Sequence, residues 1–227
     1  MAANRIVAVV KLLVLVSMIG ICPLAIAKSP ENIALIKKQL IQYHDSGEYY
    51  QDFSTVIKEA MYYLQFRINQ NKRSKHPEKL AVVLAIDETA LSNYADMVHL
   101  GFGGTYQDIS ELEAEGHDPV IPYTLTLYNY AKAHGVAVFF VTGRKRYQRA
   151  ATVRNLEVVG YEGWAGLFME PNNYNDRSVV PYKTKERKKI MAMGYDIILN
   201  IGGQQSDLAG GSADMTFKLP NPYYQVG

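Results

Sequence analysis

The sequence contains a single cysteine in 227 residues, a formal charge of only +2, and little that is low in complexity or repeated. One cysteine, Cys22, excludes an intramolecular disulfide framework and any multi-cysteine zinc module. The near balance of 24 basic and 22 acidic residues lacks the electrostatic footprint of a nucleic-acid binder. The five histidines (His44, His76, His99, His117 and His134) are scattered without metal-ligand spacing, and His99 and His117 carry two readings, a substrate contact and a surface polar residue. What is present is 48% hydrophobic residues, 20% charged residues and 17 tyrosines, the composition of a folded chain of one or two domains. The tyrosines, Tyr223 and Tyr224 among them, read as packing residues.

Residues 1–27 read as an export signal. Arg5 and Lys11 form a basic start, Leu12–Cys22 is an uncharged apolar run, and Ala25-Ile26-Ala27 offers a small-x-small cleavage pattern after Ala27. The run is shorter than the roughly 20 residues of a membrane span. Ile19-Gly20-Ile21-Cys22 faintly resembles a lipid-attachment box, but Ile21 and Pro23 beside Cys22 argue against it. Cleavage removes both basic residues and the cysteine, leaving 200 residues with 22 basic (24 less 2) against 22 acidic. The expected mature protein is neutral, cysteine-free and periplasmic or secreted, with no membrane span, and it is held by its core alone.

Residues 28–78 are expected to form a helical segment packed on the core. Ser29-Pro30-Glu31 carries the signals of a helix start, and Ile33, Ile36, Leu40 and Ile41 recur at helical spacing. Ser46-Gly47 interrupts it. A second helix places Phe53, Ile57, Met61, Leu64 and Ile68 on one face, and Asn69–Pro77 reads as a basic, solvated loop. From residue 79 the pattern changes. Leu80–Ile86, Val136–Val141, Gly166–Met169 and Asp196–Ile201 are short apolar runs of the kind buried in parallel sheets, and Met215–Leu219 suggests an edge strand. Helical stretches at Ile121–His134, Tyr147–Val159 and Lys183–Met193 alternate with them. This predicts an α/β fold, a parallel sheet flanked by helices, with a ligand crevice at the carboxyl ends of the strands. The Gly- and acid-rich stretch at about 95–120 is too long for a tight connection and is expected to form a small cap over that crevice; His99 and His117 flank it.

Four segments fall at the expected strand ends: Ala85-Ile86-Asp87-Glu88-Thr89, Val141-Thr142-Gly143-Arg144, Tyr182-Lys183-Thr184, and Ile201-Gly202-Gly203-Gln204-Gln205-Ser206-Asp207. A hydroxyl and a glycine amide at a helix start, with a lysine nearby, make an anion cradle. Singly, each has a plainer reading: Thr142-Gly143-Arg144 as a turn, Lys183 as a solvated helix charge, and Asp207 as a helix cap.

Their order resembles the haloacid dehalogenase (HAD) superfamily, in its secreted acid phosphatase branch (subfamily IIIB), which also includes plant vegetative storage proteins. Leu127–Lys132, Gly160-Tyr161-Glu162-Gly163-Trp164, Asp196–Leu208 and Phe217–Pro222 extend the resemblance over most of residues 80–223. The resemblance implies a HAD-like Rossmannoid core over 79–227. It also implies a phosphomonoester substrate, Mg²⁺ as cofactor, and an Asp-x-Asp-Glu-Thr motif whose first aspartate attacks phosphorus. By position, Asp87 is the acid/base and its carbonyl a metal ligand. Thr142, the Gly143 amide and Lys183 hold the phosphate, and Asp207 supports the metal side.

Two positions depart. The nucleophile position is Ala85, and the position of a magnesium-binding aspartate is Gly203. A methyl group has no lone pair with which to attack, and losing a nucleophile costs roughly 10⁴- to 10⁶-fold in turnover. Mg²⁺ depends on carboxylate oxygens, and two of its ligands are missing. A carboxylate about 4 Å from phosphate repels it by roughly 4 kcal/mol at an effective dielectric near 20, so their removal favours anion binding. The expectation is an exported pseudoenzyme that binds phosphate or a phosphomonoester with little or no turnover and with Mg²⁺ binding weakened or lost. Two alternatives stay open: an active phosphatase in which Asp87 activates water, and an ordinary acid phosphatase inactivated by introduced substitutions.

Overall fold

The computed structural model describes residues 29–226, so the expected export signal and Cys22 lie outside the described residues. Among the described residues no helix is long and apolar enough to cross a membrane. The chain forms helices α1 (Ile33–Asp45) and α2 (Glu48–Lys72), strand β1 (Lys79–Leu84), helices α3 (Tyr94–His99), α4 (Tyr106–Glu115) and α5 (Pro122–Ala133), and strand β2 (Ala137–Lys145). A 3₁₀ turn at Arg146–Gln148 leads into α6 (Arg149–Val158). Then come β3 (Gly166–Glu170), α7 (Val180–Ala192), β4 (Tyr195–Gly202), the short α8 (Gln205–Leu208) and β5 (Met215–Lys218).

All five strands pair in parallel, in the order β3-β2-β1-β4-β5. Parallel strands bury both faces, and the period of two sorts the side chains. Leu80, Val82 and Leu84 of β1 and Val138 and Phe140 of β2 join one apolar core with α2, α5 and α6. Ala81, Val83, Phe139 and Val141 join Ile190 of α7 in a second, smaller core. The β1–β4 register slips at Ile198, so that Ile197 pairs with Ala81 but Leu199 pairs with Val82. That slip keeps Leu199 and Ile201 on the larger core.

Helix α2 buries Tyr49, Phe53, Ile57, Ala60, Leu64 and Ile68, steps of three and four that define one face. Truncating Phe53 to alanine would cost about 3–5 kcal/mol. The sequence expectation placed Met61 on this face, where it is only half-buried. Helix α2 also runs on to Lys72, into the segment expected to be loop. The start expected at Ser29-Pro30-Glu31 is displaced: α1 begins at Ile33 and has no fully buried residue, with Ile33, Ile36 and Ile41 exposed. Apolar spacing alone does not guarantee a covered face.

The expected cap region contains α3 and α4. Helix α4 opens with a capping box in which Thr105 accepts from the Asp108 amide and the Asp108 carboxylate accepts from the Thr105 amide. It ends at Gly116, in a left-handed conformation.

Candidate functional site: a cavity at the strand ends

A cavity of about 480 Å³ lies where β1, β2, β3 and β4 end. All seven positions singled out in the sequence converge on this end of the sheet. Ala85, Asp87, Thr142, Gly143, Lys183 and Asp207 line the cavity, whereas Gly203 does not line it but immediately precedes the lining residue Gln204. Met97, Phe102, Tyr106, Ile109 and Glu113 of the 95–120 stretch close one part of the wall, and Tyr223–Val226 close another. His99 and His117 do not line it, in keeping with their reading as surface residues.

After β1 the backbone turns sharply, with the amides of Thr89, Ala90 and Leu91 all donating to the Ile86 carbonyl. Glu88 takes a positive φ of 46° within this turn, an unusual conformation for a side-chain-bearing residue and a frequent mark of functional sites. The turn presents the Ala85 methyl and the Asp87 carboxylate to the cavity.

Asp87 is held firmly. Its Oδ1 accepts from Arg144 Nε at 2.9 Å, Arg144 Nη2 at 2.7 Å and Asn93 Nδ2 at 3.0 Å, while Thr142 Oγ1 reaches Oδ2 at 3.5 Å. Burial pushes the Asp87 carboxyl up, but the Arg144 charge and these hydrogen bonds outweigh it and hold the group below the usual carboxylate range. Arg144 also donates Nη2 to Asp118 at 2.7 Å. Burial raises Asp118 to about 6 despite the arginine. Glu113, whose Oε2 accepts from Gln148 at 2.8 Å, is raised by burial and by the Asp87 charge to about 8. The sequence reading assigned no role to Arg144, Asn93, Glu113 or Asp118. Arg144 sits inside the Val141–Arg144 block and Asn93 lies four residues after the Ala85–Thr89 block, and that adjacency is the available signal.

The anion-cradle residues are arranged differently from expectation. Thr142 and Gly143 lie within β2 rather than at a helix start, because β2 runs on to Lys145 and α6 begins only at Arg149. The β2–β3 ladder is interrupted between Thr142 and Lys145, where Gly143 sits. Lys183 is in the first turns of α7, buried rather than solvated, and donates to Asp207 Oδ1 at 2.5 Å. Asp207 Oδ2 accepts from the Gln204 amide at 2.8 Å. Both cations lining the cavity among the described residues, Arg144 and Lys183, therefore have carboxylate partners, and the pocket is not bare of negative charge.

The metal side fits magnesium poorly. Positions 85 and 203 bring no oxygen ligand from a side chain, and both oxygens of Asp207 are engaged by Lys183 and Gln204. The backbone has also closed in: a Cβ at Gly203 would lie 2.9 Å from the Glu88 carbonyl oxygen. At Gly202 the approach is closer still, since a Cβ there would meet the Asp207 side chain at 2.3 Å, so only glycine fits. Among the described residues no group of three or more His, Cys, Asp or Glu is placed to hold a metal ion.

Comparison with known proteins places the sequence in a family. A family model described as HAD superfamily, subfamily IIIB (Acid phosphatase) matches residues 24–227. The chain is 35% identical over 193 residues to the stem 28 kDa glycoprotein of Glycine max, covering 82% of this chain and 72% of that protein. It is 32% identical over 185 residues to vegetative storage protein 2 of Arabidopsis thaliana, covering 80% and 68%. It is 32% identical over 148 residues to acid phosphatase 1 of Solanum lycopersicum, covering 63% and 58%. The class C acid phosphatase of Bacillus anthracis shares the fold, with a TM-score of 0.64 at 21% identity over 84% of this chain and 86% of that one. The chain belongs to the acid phosphatase subfamily IIIB of the HAD superfamily.

Proposed function

We propose that this protein is an exported, phosphatase-derived binding protein that holds inorganic phosphate or a small phosphomonoester and turns it over slowly or not at all. The observation that carries this reading is the methyl group of Ala85 on the cavity wall, where covalent phosphoryl transfer needs a carboxylate. The engaged oxygens of Asp207 and the crowding at Gly203 support a site without functional Mg²⁺. Thr142, the Gly143 amide and Lys183 supply the hydroxyl, backbone and ammonium donors for the anion. Residues 28–78 serve as a helical segment on the core, about 95–120 as a small cap, and 1–27 as an export signal removed after Ala27.

Asp87 as an activator of water has less in its favour. Its Oδ1 is occupied by three donor groups and its proton affinity is lowered, which makes it a weak base.

The test is p-nitrophenyl phosphate hydrolysis at acid pH with and without Mg²⁺, beside tomato acid phosphatase 1, together with calorimetry of phosphate binding. Turnover roughly 10⁴- to 10⁶-fold below the active relative is expected, with phosphate heats that vanish in Lys183→Ala. Comparable turnover, or identical weak heats in the parent and the variant, would refute the reading.

A further inference from the structure

We infer that the chain segment Tyr223–Val226 is the specificity wall of the cavity, and that Gln204 is the positioning residue that fixes it. This rests on the ligand-binding reading above. After β5 the Leu219 amide donates to the Gly202 carbonyl at 2.9 Å, which returns the chain to the end of β4. Pro220 and Pro222 then stiffen the path. The Gln204 side chain, 8% exposed, meets the returning backbone with both halves of its amide. Nε2 donates to the Tyr224 carbonyl at 3.0 Å, and Oε1 accepts from the Val226 amide at 3.2 Å. A side-chain amide that pairs with a C=O and the N–H two residues on imitates one rung of a β-ladder. The Tyr224 hydroxyl adds a third anchor by donating to the Glu88 carboxyl.

The other side of the segment is braced by rings. Tyr223 is buried and lies 5.6 Å from Tyr49 of α2, 5.3 Å from Tyr94 of α3 and 6.0 Å from Phe102 of the cap, measured between ring centroids. The N-terminal helices, the cap and the segment therefore meet at one ring cluster, and the N-terminal helices gain a role in shaping the cavity. The anchors lie on Glu88 and Gln204, within the same turns that carry Asp87 and Asp207. All four residues of the segment line the cavity, as a wall that an organic group attached to phosphate would meet. A bare phosphate, held by Thr142, Gly143 and Lys183, does not need that wall; an aryl group does.

The experiment measures binding of inorganic phosphate and of phenylphosphonate, whose P–C bond resists hydrolysis, to the full chain by calorimetry. Gln204→Met removes both hydrogen bonds at similar volume, and Val226→Pro removes one of them without altering Gln204. Both variants are expected to weaken phenylphosphonate about tenfold while phosphate stays within about twofold. Amide exchange over 223–226 should quicken in both. A phenylphosphonate-to-phosphate affinity ratio unchanged in both variants, with phosphate still binding, overturns this inference alone. Absence of phosphate binding in the parent overturns it together with the function it rests on.

Discussion

Arg144 grips Asp87 through two nitrogens, Nε at 2.9 Å and Nη2 at 2.7 Å, and shares Nη2 with Asp118 at 2.7 Å. A fully buried guanidinium thus joins the end of β2 to the turn after β1 and to Asp118 in the 95–120 stretch. Three consequences meet in this contact: Asp87 is locked as an ion pair, the 95–120 stretch is tied to the core, and the charge of the arginine is compensated without any ligand. Such a pair persists because breaking it leaves a charge stranded in a dry interior.

Replacing Arg144 by methionine should therefore destabilise the fold strongly, by about 3–5 kcal/mol, through Asp87 and Asp118 losing their common partner. Urea unfolding measures this. A variant as stable as the parent would mean that water reaches the cluster more freely than its burial implies. Arg144→Lys should recover only part of the loss, because one ammonium cannot reproduce the fork that meets Asp87 twice.

Acidic residues at positions 85 and 203 make different demands on the fold. Ala85 lines the cavity, so Ala85→Asp should fold with little change in stability. Gly203→Asp places a Cβ 2.9 Å from the Glu88 carbonyl oxygen and 3.1 Å from the Glu88 Cβ, and should cost about 1–3 kcal/mol. Only the double variant is expected to gain Mg²⁺-dependent hydrolysis of p-nitrophenyl phosphate, since Asp87, Thr142, Lys183 and Asp207 are in place. A folded but silent double variant would show that the crowding between Gly203 and Glu88 has closed the metal side for good.

Stability should depend on pH through Glu88. Burial raises its carboxyl to about 8, against which the Tyr224 hydrogen bond works only partly. A folded-state pKa above the unfolded value means that the folded state holds the proton longer. This contribution is complete below the unfolded pKa of about 4.3 and is lost as pH rises towards 8. Glu113, raised to about 8, acts in the same direction over the same window, and Asp118, raised to about 6, over a narrower one. Asp87 acts oppositely, its contribution fading only as strong acid protonates it below its ordinary range. The melting temperature should thus fall between about pH 5 and pH 8, and Glu88→Gln should flatten that slope. An unchanged slope in the variant would assign the dependence elsewhere.

The apolar strand runs were legible in the sequence because a parallel sheet buries both faces, and Leu80–Leu84, Val138–Val141 and Ile197–Ile201 need no partner to reveal that. The motif positions were legible because each follows such a run. The pairings were not. Arg144 and Asp87 are separated by 57 residues, and Tyr224 and Glu88 by 136, so their contacts arise only when β1, β2 and β4 align. Tyr223 and Tyr224 looked like packing residues, which holds for the buried Tyr223; that Tyr224 reaches a motif carboxyl has no local signature. Lys183 misled in another way. Its basic neighbours Lys185, Lys188 and Lys189 suggested a solvated face, yet the first turns of α7 pack against α8, where Asp207 takes its charge.

The Lys183–Asp207 pair sets the strength of the proposed anion site. The ammonium is 2.5 Å from Asp207 Oδ1, and both side chains are nearly excluded from water. An incoming phosphate must share that ammonium with a carboxylate, and it meets the carboxylate's own charge as well, a repulsion of several kcal/mol at roughly 4 Å and a dielectric near 20. Asp207→Asn removes the charge at almost unchanged shape and can still accept from the Gln204 amide. Two opposed effects follow. The free protein should lose about 3–5 kcal/mol, because Lys183 is left buried without its counter-ion. Phosphate affinity should rise by about tenfold or more, because the anion now supplies that counter-ion. Ligand linkage ties the two together, so added phosphate should raise the melting temperature of Asp207→Asn by more than that of the parent. Thermal unfolding across a phosphate titration measures both effects at once. A variant that is destabilised but gains nothing from phosphate would place the anion away from Lys183.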